Sequence, residues 1–457
     1  MGHEQNEKTP LNRRDFFKAA GAGVAAATVL MTPRDAAAAQ AAAEKNALER
    51  IASNSYPIRP LFKTRGNPGG GGGRAGRGAA VPGDSTGSPA VAGRGGAQPP
   101  GGGSGAATVA PPGGAGRGAG APDQPPLDQN PNAAKPLAVA AAATAARANL
   151  LNTQQMKEKY GEITMLDFPQ FTKDTFPGVT RMDLYSALFG DVTDDSMFMP
   201  GPNGRPGGFD PMSPAGRKWL DTLANTCVKT GTKVQHISNN APTNLAAYGS
   251  PEEDEKRKAG VAMAKRWLEG CAVLGVKSMR MNSPQALGPS IRPNAIPRGP
   301  GDGYPRNIDI VPLLEAAIAS YREMAEFGGN LGIRVTLENH WGLAADPMNI
   351  RTIIDEVDHP YCEASPDFGN WEHDYMLFNG LKALAPYAHT NVHAKYWDRW
   401  GDKNDVQRST RIMLAGDFKG TFALEYEQGP LNGVEGAKYL YKEVLTALTT
   451  PTPVVGA

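Results

Sequence analysis

The sequence predicts an α/β chain folded as a (β/α)8 TIM barrel, with a disordered Gly/Pro-rich insert after the first strand. Three observations carry that prediction. Beyond residue 135, short runs rich in Val and Ile alternate with longer stretches of helical period. Seven strand candidates follow one another this way, and helical crossovers of that kind join parallel strands. With an N-terminal leader and a low-complexity tract set aside, about 350 of the 457 residues remain, which suits one barrel-sized core.

Taken in order, the chain opens with Asn12-Arg13-Arg14-Asp15-Phe16-Phe17-Lys18, a weakly apolar stretch from Ala19 to Met31, and the small-residue run Ala36-Ala37-Ala38-Ala39. That order resembles a twin-arginine secretion signal over residues 1–39, which implies export through the twin-arginine translocase to the periplasm or beyond. The route carries folded proteins, so a metal can be loaded before export. The apolar stretch is too short for a permanent anchor, and no other segment approaches spanning length. A mature protein that makes no use of the membrane is expected.

Residues 40–457 are expected to form a single barrel domain. Its first strand falls on Arg50-Ile51-Ala52-Ser53-Asn54-Ser55-Tyr56, the one upstream segment suited to complete a set of eight. Residues 66–135 follow, and residues 66–120 alone hold 22 of the 55 glycines. Such a composition buries too little apolar area to offset chain entropy, so a disordered insert is predicted at the rim where barrels place their active sites. The remaining strands are expected at Val179–Ser186, Lys233–Asn240, Val276–Asn282, Ile333–Asn339, Tyr361–Phe368, Ala388–Lys395 and Thr421–Gln428. Between Val276–Asn282 and Ile333–Asn339, Asp309 is positioned to cap a helix whose apolar positions run from Ile310 to Ala325, with Gly328 ending it.

Composition narrows the function. Basic and acidic residues number 47 and 46, a net charge of +1, which argues against a dedicated nucleic-acid binder. Cys227, Cys271 and Cys362 cannot all pair and fit no close-spaced zinc pattern. Four strand ends, however, each finish in a candidate metal ligand: Glu338 in Leu337-Glu338-Asn339-His340, Asp367 in Ser365-Pro366-Asp367-Phe368-Gly369-Asn370, His393 in Asn391-Val392-His393-Ala394-Lys395, and Glu425 in Leu424-Glu425-Tyr426-Glu427. Two glutamates, one aspartate and one histidine make an oxygen-rich set suited to one divalent ion, Mn2+ foremost, with Mg2+, Co2+ or Zn2+ as alternatives.

These pieces resemble the xylose-isomerase-like barrels that include sugar phosphate isomerases and epimerases, especially their exported members. Leu166-Asp167-Phe168-Pro169, Leu274–Asn282, Val335–His340, Pro366–Asn370, Val392–Lys395 and Leu424–Glu427 carry the resemblance, in order, over most of residues 160–450. It implies Glu338, Asp367, His393 and Glu425 as metal ligands. Asn370 departs from the histidine that several epimerases of the group have there.

Alternation along strands adds His340, Lys395 and Glu427 to the faces that carry Glu338, His393 and Glu425. His340 and Lys395 are therefore expected catalytic residues, His340 removing a proton alpha to a carbonyl and Lys395 polarising substrate, and the resemblance implies Glu338 and Glu425 as acid and base beside them. Asn240, Arg280 and Asn282 at strand ends, with Trp341 and Trp397, are candidate sugar contacts. His236 is read as a core group or one behind the ligands. The activity expected is a metal-dependent isomerase or epimerase of an unphosphorylated sugar or keto-sugar, acting through an enediolate. No rim segment offers a Gly-rich phosphate cradle. A lyase or dehydratase acting on a 3-keto-glycoside or oxidised sugar is the alternative, and a non-catalytic sugar-binding protein is the alternative of another class. The trinuclear zinc site of the apurinic-endonuclease branch, a third reading, needs many histidines, and of the seven present only His340 and His393 sit at candidate ligand positions. The sequence leaves self-association into a homo-oligomer open.

Overall fold

The computed structural model describes residues 33–63, 150–201, 206–239, 245–246, 249–281, 309–340, 342–371, 375–398 and 404–450. Residues 1–47 and 48–457 are separate compact units. The described part of the first, residues 33–47, lies in the helix α1 (Pro33–Leu48), which includes the Ala36–Ala39 run and whose last residue belongs to the second. The predicted insert and the signal's Arg-Arg pair lie outside the described residues.

The second unit is built on eight parallel strands. β1 (Ile51–Asn54) is followed by α2 (Thr153–Tyr160), α3 (Phe168–Thr175) and β2 (Arg181–Tyr185). A two-stranded antiparallel hairpin, β3 (Phe198–Pro200) and β4 (Pro206–Phe209), precedes α4 (Pro214–Thr230) and β5 (Lys233–Ser238). Strict alternation then gives α5 (Pro251–Cys271), β6 (Ser278–Arg280), α6 (Val311–Asn330), β7 (Arg334–Leu337), α7 (Pro347–Val357), β8 (Cys362–Ala364), α8 (Met376–Leu384), β9 (Asn391–Trp397), α9 (Val406–Ala415), β10 (Thr421–Gln428) and α10 (Gly433–Thr449). The large sheet runs β8-β7-β6-β5-β2-β1-β10-β9, so neighbours are consecutive barrel strands and the first, β1, lies beside the last, β10. The two ends of that order also meet. His393 N donates to Pro366 O at 3.0 Å and Phe368 N to His393 O at 3.1 Å, joining the segment after β8 to β9.

Each strand predicted from the sequence is present: six are shorter, Thr421–Gln428 is β10 itself, and Ala388–Lys395 is shifted to Asn391–Trp397. Tyr361–Phe368 contracts to Cys362–Ala364, because Pro366 has no N–H for a ladder and contributes only its carbonyl. The helix before β7 extends past Gly328 to Asn330. Asp309 Oδ1 does accept from Val311 N at 3.0 Å at its start. Gly328 serves packing instead of termination, since a Cβ there would sit 2.5 Å from Ile333 O. The β3–β4 hairpin was not predicted.

Alternation divides the sheet into two faces. Ile51, Met182, Leu184, Ile237, Met279, Val335, Leu337, Val392, Phe422 and Leu424 are buried in the hydrophobic core. The opposite parity fills the barrel interior, and it is polar: Asp183, His236, Ser278, Thr336, Glu363, Asn391 and His393 are all fully buried. Contacts between strands that are not neighbours confirm the direction, such as the His236 and His393 rings 5.9 Å apart from β5 and β9. Interiors of such barrels are usually packed with branched aliphatics. This one is wired with hydrogen bonds that lead to one end.

Candidate metal centre

Four strand ends bring Glu338, Asp367, His393 and Glu425 together, with a ligand atom from each lying within 4.8 Å of the others, all buried. Glu338 follows directly after β7, Asp367 sits in the bridge that closes the barrel, and His393 and Glu425 are on β9 and β10. His393 Nδ1 is central to the group. It contacts Glu338 Oε1 and lies 3.6 Å from Glu425 Oε2 and 3.7 Å from Asp367 Oδ2.

Asp367 is aimed by its own loop. Its Oδ1 accepts from Gly369 N at 2.6 Å and Asn370 N at 3.0 Å, while Oδ2 is buried and accepts no hydrogen bond. The Asn339 amide fixes the backbone of that loop, accepting from Asp367 N at 2.7 Å and donating to Asp367 O at 2.9 Å and Asn370 O at 3.2 Å. A buried carboxylate oxygen held in place with no hydrogen bond from a described residue, and with Lys395 Nζ 3.4 Å away, is suited to a cation.

Lys395, two residues after His393 and buried, lies 2.6 Å from Glu427 Oε2, 3.0 Å from Glu425 Oε1 and 3.4 Å from Asp367 Oδ2, and donates to Asn370 Oδ1 at 3.0 Å. Gly369 leaves room for it, since a Cβ there would come 3.0 Å from Lys395 Cδ. Arg280 Nη1 meets Glu338 Oε2 at 2.5 Å, so the arginine expected to contact sugar is paired with a carboxylate of the cluster. His340 Nε2 lies 3.9 Å from the same oxygen. Trp397 Nε1 donates to Gln428 Oε1 at 2.8 Å, and its ring centroid is 5.5 Å from Lys395 Nζ. Asn240, Asn282 and Trp341 lie outside the described residues.

Charge in this cluster is unbalanced. Asp183, Glu338, Asp367, Glu425 and Glu427 face two permanent cations, Arg280 and Lys395. Burial raises the Asp367 carboxyl, and Glu425 and Glu338 add to it against the pull of Lys395, so it is pushed up to about 7. Burial acts the same way on Glu338, but Arg280 and His393 outweigh it and hold this carboxyl well below the usual range. For His340, burial and the nearby Arg280 and Lys395 depress the imidazole far below its ordinary value, leaving it neutral. Buried negative charge in excess requires either protons or a cation. The donor set, three carboxylates and one imidazole, matches the chemistry of a borderline divalent ion.

Sequence reasoning missed Asp183. Its Oδ2 contacts His393 Nε2 at 2.9 Å from the side opposite the cluster. The available signal was a charged residue in the middle of the strand candidate Val179–Ser186, on the face shared with Arg181 and Tyr185. His236 lies behind the cluster, with Nδ1 2.7 Å from Ser278 Oγ.

Residues 10–29 match the model of the twin-arginine translocation pathway signal sequence, which directs the chain to export across the membrane. No helix among the described residues is long and apolar enough to cross a membrane. Similar solved structures include a xylose isomerase-like TIM barrel protein from Mycobacterium smegmatis in complex with magnesium (18% identity, 56% of this chain and 95% of that one, TM-score 0.38). They also include 3-keto-D-glucoside 4-epimerase from E. coli (14% identity, 63% and 95%, TM-score 0.42). A third is D-psicose 3-epimerase from Clostridium cellulolyticum (14% identity, 63% and 92%, TM-score 0.41). No curated protein matches the chain. The family model for xylose isomerase-like TIM barrels matches residues 195–443, more than half of the chain. That span carries six of the eight barrel strands and all four members of the cluster, and the chain belongs to the xylose isomerase-like TIM barrel family.

Proposed function

We propose that the protein is a divalent-metal-dependent isomerase or epimerase of an unphosphorylated sugar or keto-sugar, moving a proton between positions next to a carbonyl. The observation that carries this reading is the convergence of Glu338, Asp367, His393 and Glu425 in one buried cluster at the end of the barrel. Those four residues would hold the ion. When bound, a divalent cation supplies charge for the oxygen that becomes negative as the enediolate forms.

The rest of the chemistry belongs to side chains. His340, neutral and beside Glu338, would take the proton alpha to the carbonyl. Glu338 and Glu425, on strands three apart, flank the cluster from two sides. A proton removed on one side and returned on the other, or to the neighbouring carbon, inverts a centre or moves the carbonyl and leaves the formula unchanged. Lys395 would orient a substrate oxygen while balancing Glu425 and Glu427.

Three variants test the roles. Glu338→Gln and Asp367→Asn should lose bound Mn2+ and turnover together, measured by metal analysis and by mass spectrometry over free and 3-keto sugars. His340→Ala should keep the ion while turnover falls about 10²–10⁴-fold. A histidine variant that loses its metal while the glutamate variant retains it would refute the assignment. Products that split into two fragments or lose water would identify an elimination instead.

A further inference from the structure

We infer that Asp183 is a positioning residue for the cation site, a buried carboxylate that fixes the ring and tautomer of His393. The inference rests on the reading of Glu338, Asp367, His393 and Glu425 as that site. Asp183 sits on β2, across the barrel from β9, and is fully buried.

Every partner of its carboxylate is a donor in a fixed position. Oδ1 accepts from Ser238 Oγ at 2.8 Å, and Oδ2 accepts from Asn391 Nδ2 at 3.1 Å and faces His393 Nε2 at 2.9 Å. Asn391 is itself held, its Oδ1 accepting from Thr421 Oγ1 at 2.7 Å. The carboxylate therefore has its place set by β5 and β9, and in turn sets the imidazole. A carboxylate only accepts, so the hydrogen belongs on Nε2. The other nitrogen, Nδ1, is the one that lies among Glu338, Asp367 and Glu425. Nδ1 meets Glu338 Oε1 in the same way, so a cation must displace the hydrogen there; the ring so held then offers its Nδ1 lone pair without searching rotamers or tautomers, and the carboxylate behind it raises its strength as a donor.

Asp183 is not itself a ligand in this arrangement. It approaches His393 from the Nε2 side, with both oxygens already engaged by Ser238, Asn391 and His393. It also forms a compact group with His236 and His393, which raises the competing idea of a second cation bound there. The number of equivalents bound separates the two arrangements.

The test is calorimetric titration of metal-free full-length protein with Mn2+ alone. The wild type should take up one equivalent. Asp183→Asn should still bind one equivalent, with affinity weakened about 10–100-fold. Ser238→Ala, which removes a donor to Asp183 and no candidate ligand, should weaken it less. A residue that merely supports folding would reduce the fraction of protein that binds and leave the affinity of the remainder unchanged, and that result overturns the inference. Unchanged affinity in Asp183→Asn overturns it too, while leaving the cation site intact. Two equivalents in the wild type, one of them lost in Asp183→Asn, would make Asp183 a ligand and refute the positioning role. A wild type that binds no Mn2+, Mg2+, Co2+ or Zn2+ would remove the site itself and this inference with it.

Discussion

Glu363 and Asp183 are both fully buried carboxyls inside the same barrel, and their partners drive them in opposite directions. Burial raises both. For Asp183, the His236 and His393 imidazoles and the bonds from His393 and Ser238 outweigh it and hold the group down at about 2. For Glu363 burial prevails, because among the described residues it is met only by Arg334 at 3.6 Å and one backbone bond from Thr390 N at 3.1 Å, and it is pushed up to about 8. Between pH 4.5 and about 8 the unfolded chain has therefore released a proton that folded Glu363 retains. This contribution to stability is complete below the lower value and is lost as pH rises to the upper one, by at most about 1.4 kcal/mol per pH unit. Glu363→Gln should remove that slope. In denaturant unfolding, the variant should gain on the wild type between pH 5 and pH 8.5, and a difference that stays constant with pH would clear Glu363 as the source. Such a residue is hard to find by reading. The four cluster members were legible because each stands in a short motif that carries the family resemblance, such as Glu338-Asn339-His340 or Pro366-Asp367-Phe368-Gly369-Asn370, although His393 and Glu425 lie within β9 and β10. Asp183 and Glu363 lie within strands, where alternation fixes the face but not what waits across the barrel.

Elements were legible where a period was long enough to be unambiguous. Seven barrel strands and the helix before β7 follow from apolar runs and helical spacing, and β1 from the need for an eighth strand, whereas their ends depended on single backbone groups such as the missing N–H of Pro366. Close approaches between elements were not legible at all, because they are set by backbone distances. Helix α10 provides the sharpest case. Asn432 caps it by accepting from Val434 N and Glu435 N at 3.1 Å, a signal visible in sequence. The next residue, Gly433, carries a different constraint: a Cβ there would lie 1.8 Å from Pro57 O. The segment just after β1 is thus packed directly on the first turn of the last helix. Gly433→Ala cannot be absorbed by moving a flexible side chain, and should cost about 1–3 kcal/mol in thermal or denaturant unfolding. A variant as stable as the wild type would show that the helix can slide away from Pro57 at little cost.

At the scale of the molecule, the sequence places a long low-complexity tract inside a closed barrel, and the fold shows how its two flanks are tied. Lys63 N donates to Ile163 O at 2.9 Å and Ile163 N to Leu61 O at 3.0 Å, so the chain is pinned on both sides of the segment outside the described residues. Phe62 and Met156 are buried in the core next to those ties. The strands on either side of the segment, β1 and β2, also pair with each other in parallel from Ala52↔Arg181 to Asn54↔Asp183. None of these contacts uses residues 70–130. Deleting them shortens the loop between Lys63 and Ile163 from about 100 residues to about 40, which lowers its closure entropy cost by about 0.8 kcal/mol. The deletion variant should therefore unfold in one transition at the wild-type temperature or slightly above, and bind Mn2+ with unchanged affinity. A large drop in the transition temperature would mean that the tract contributes contacts to the barrel, and that its composition is a poor guide to its role.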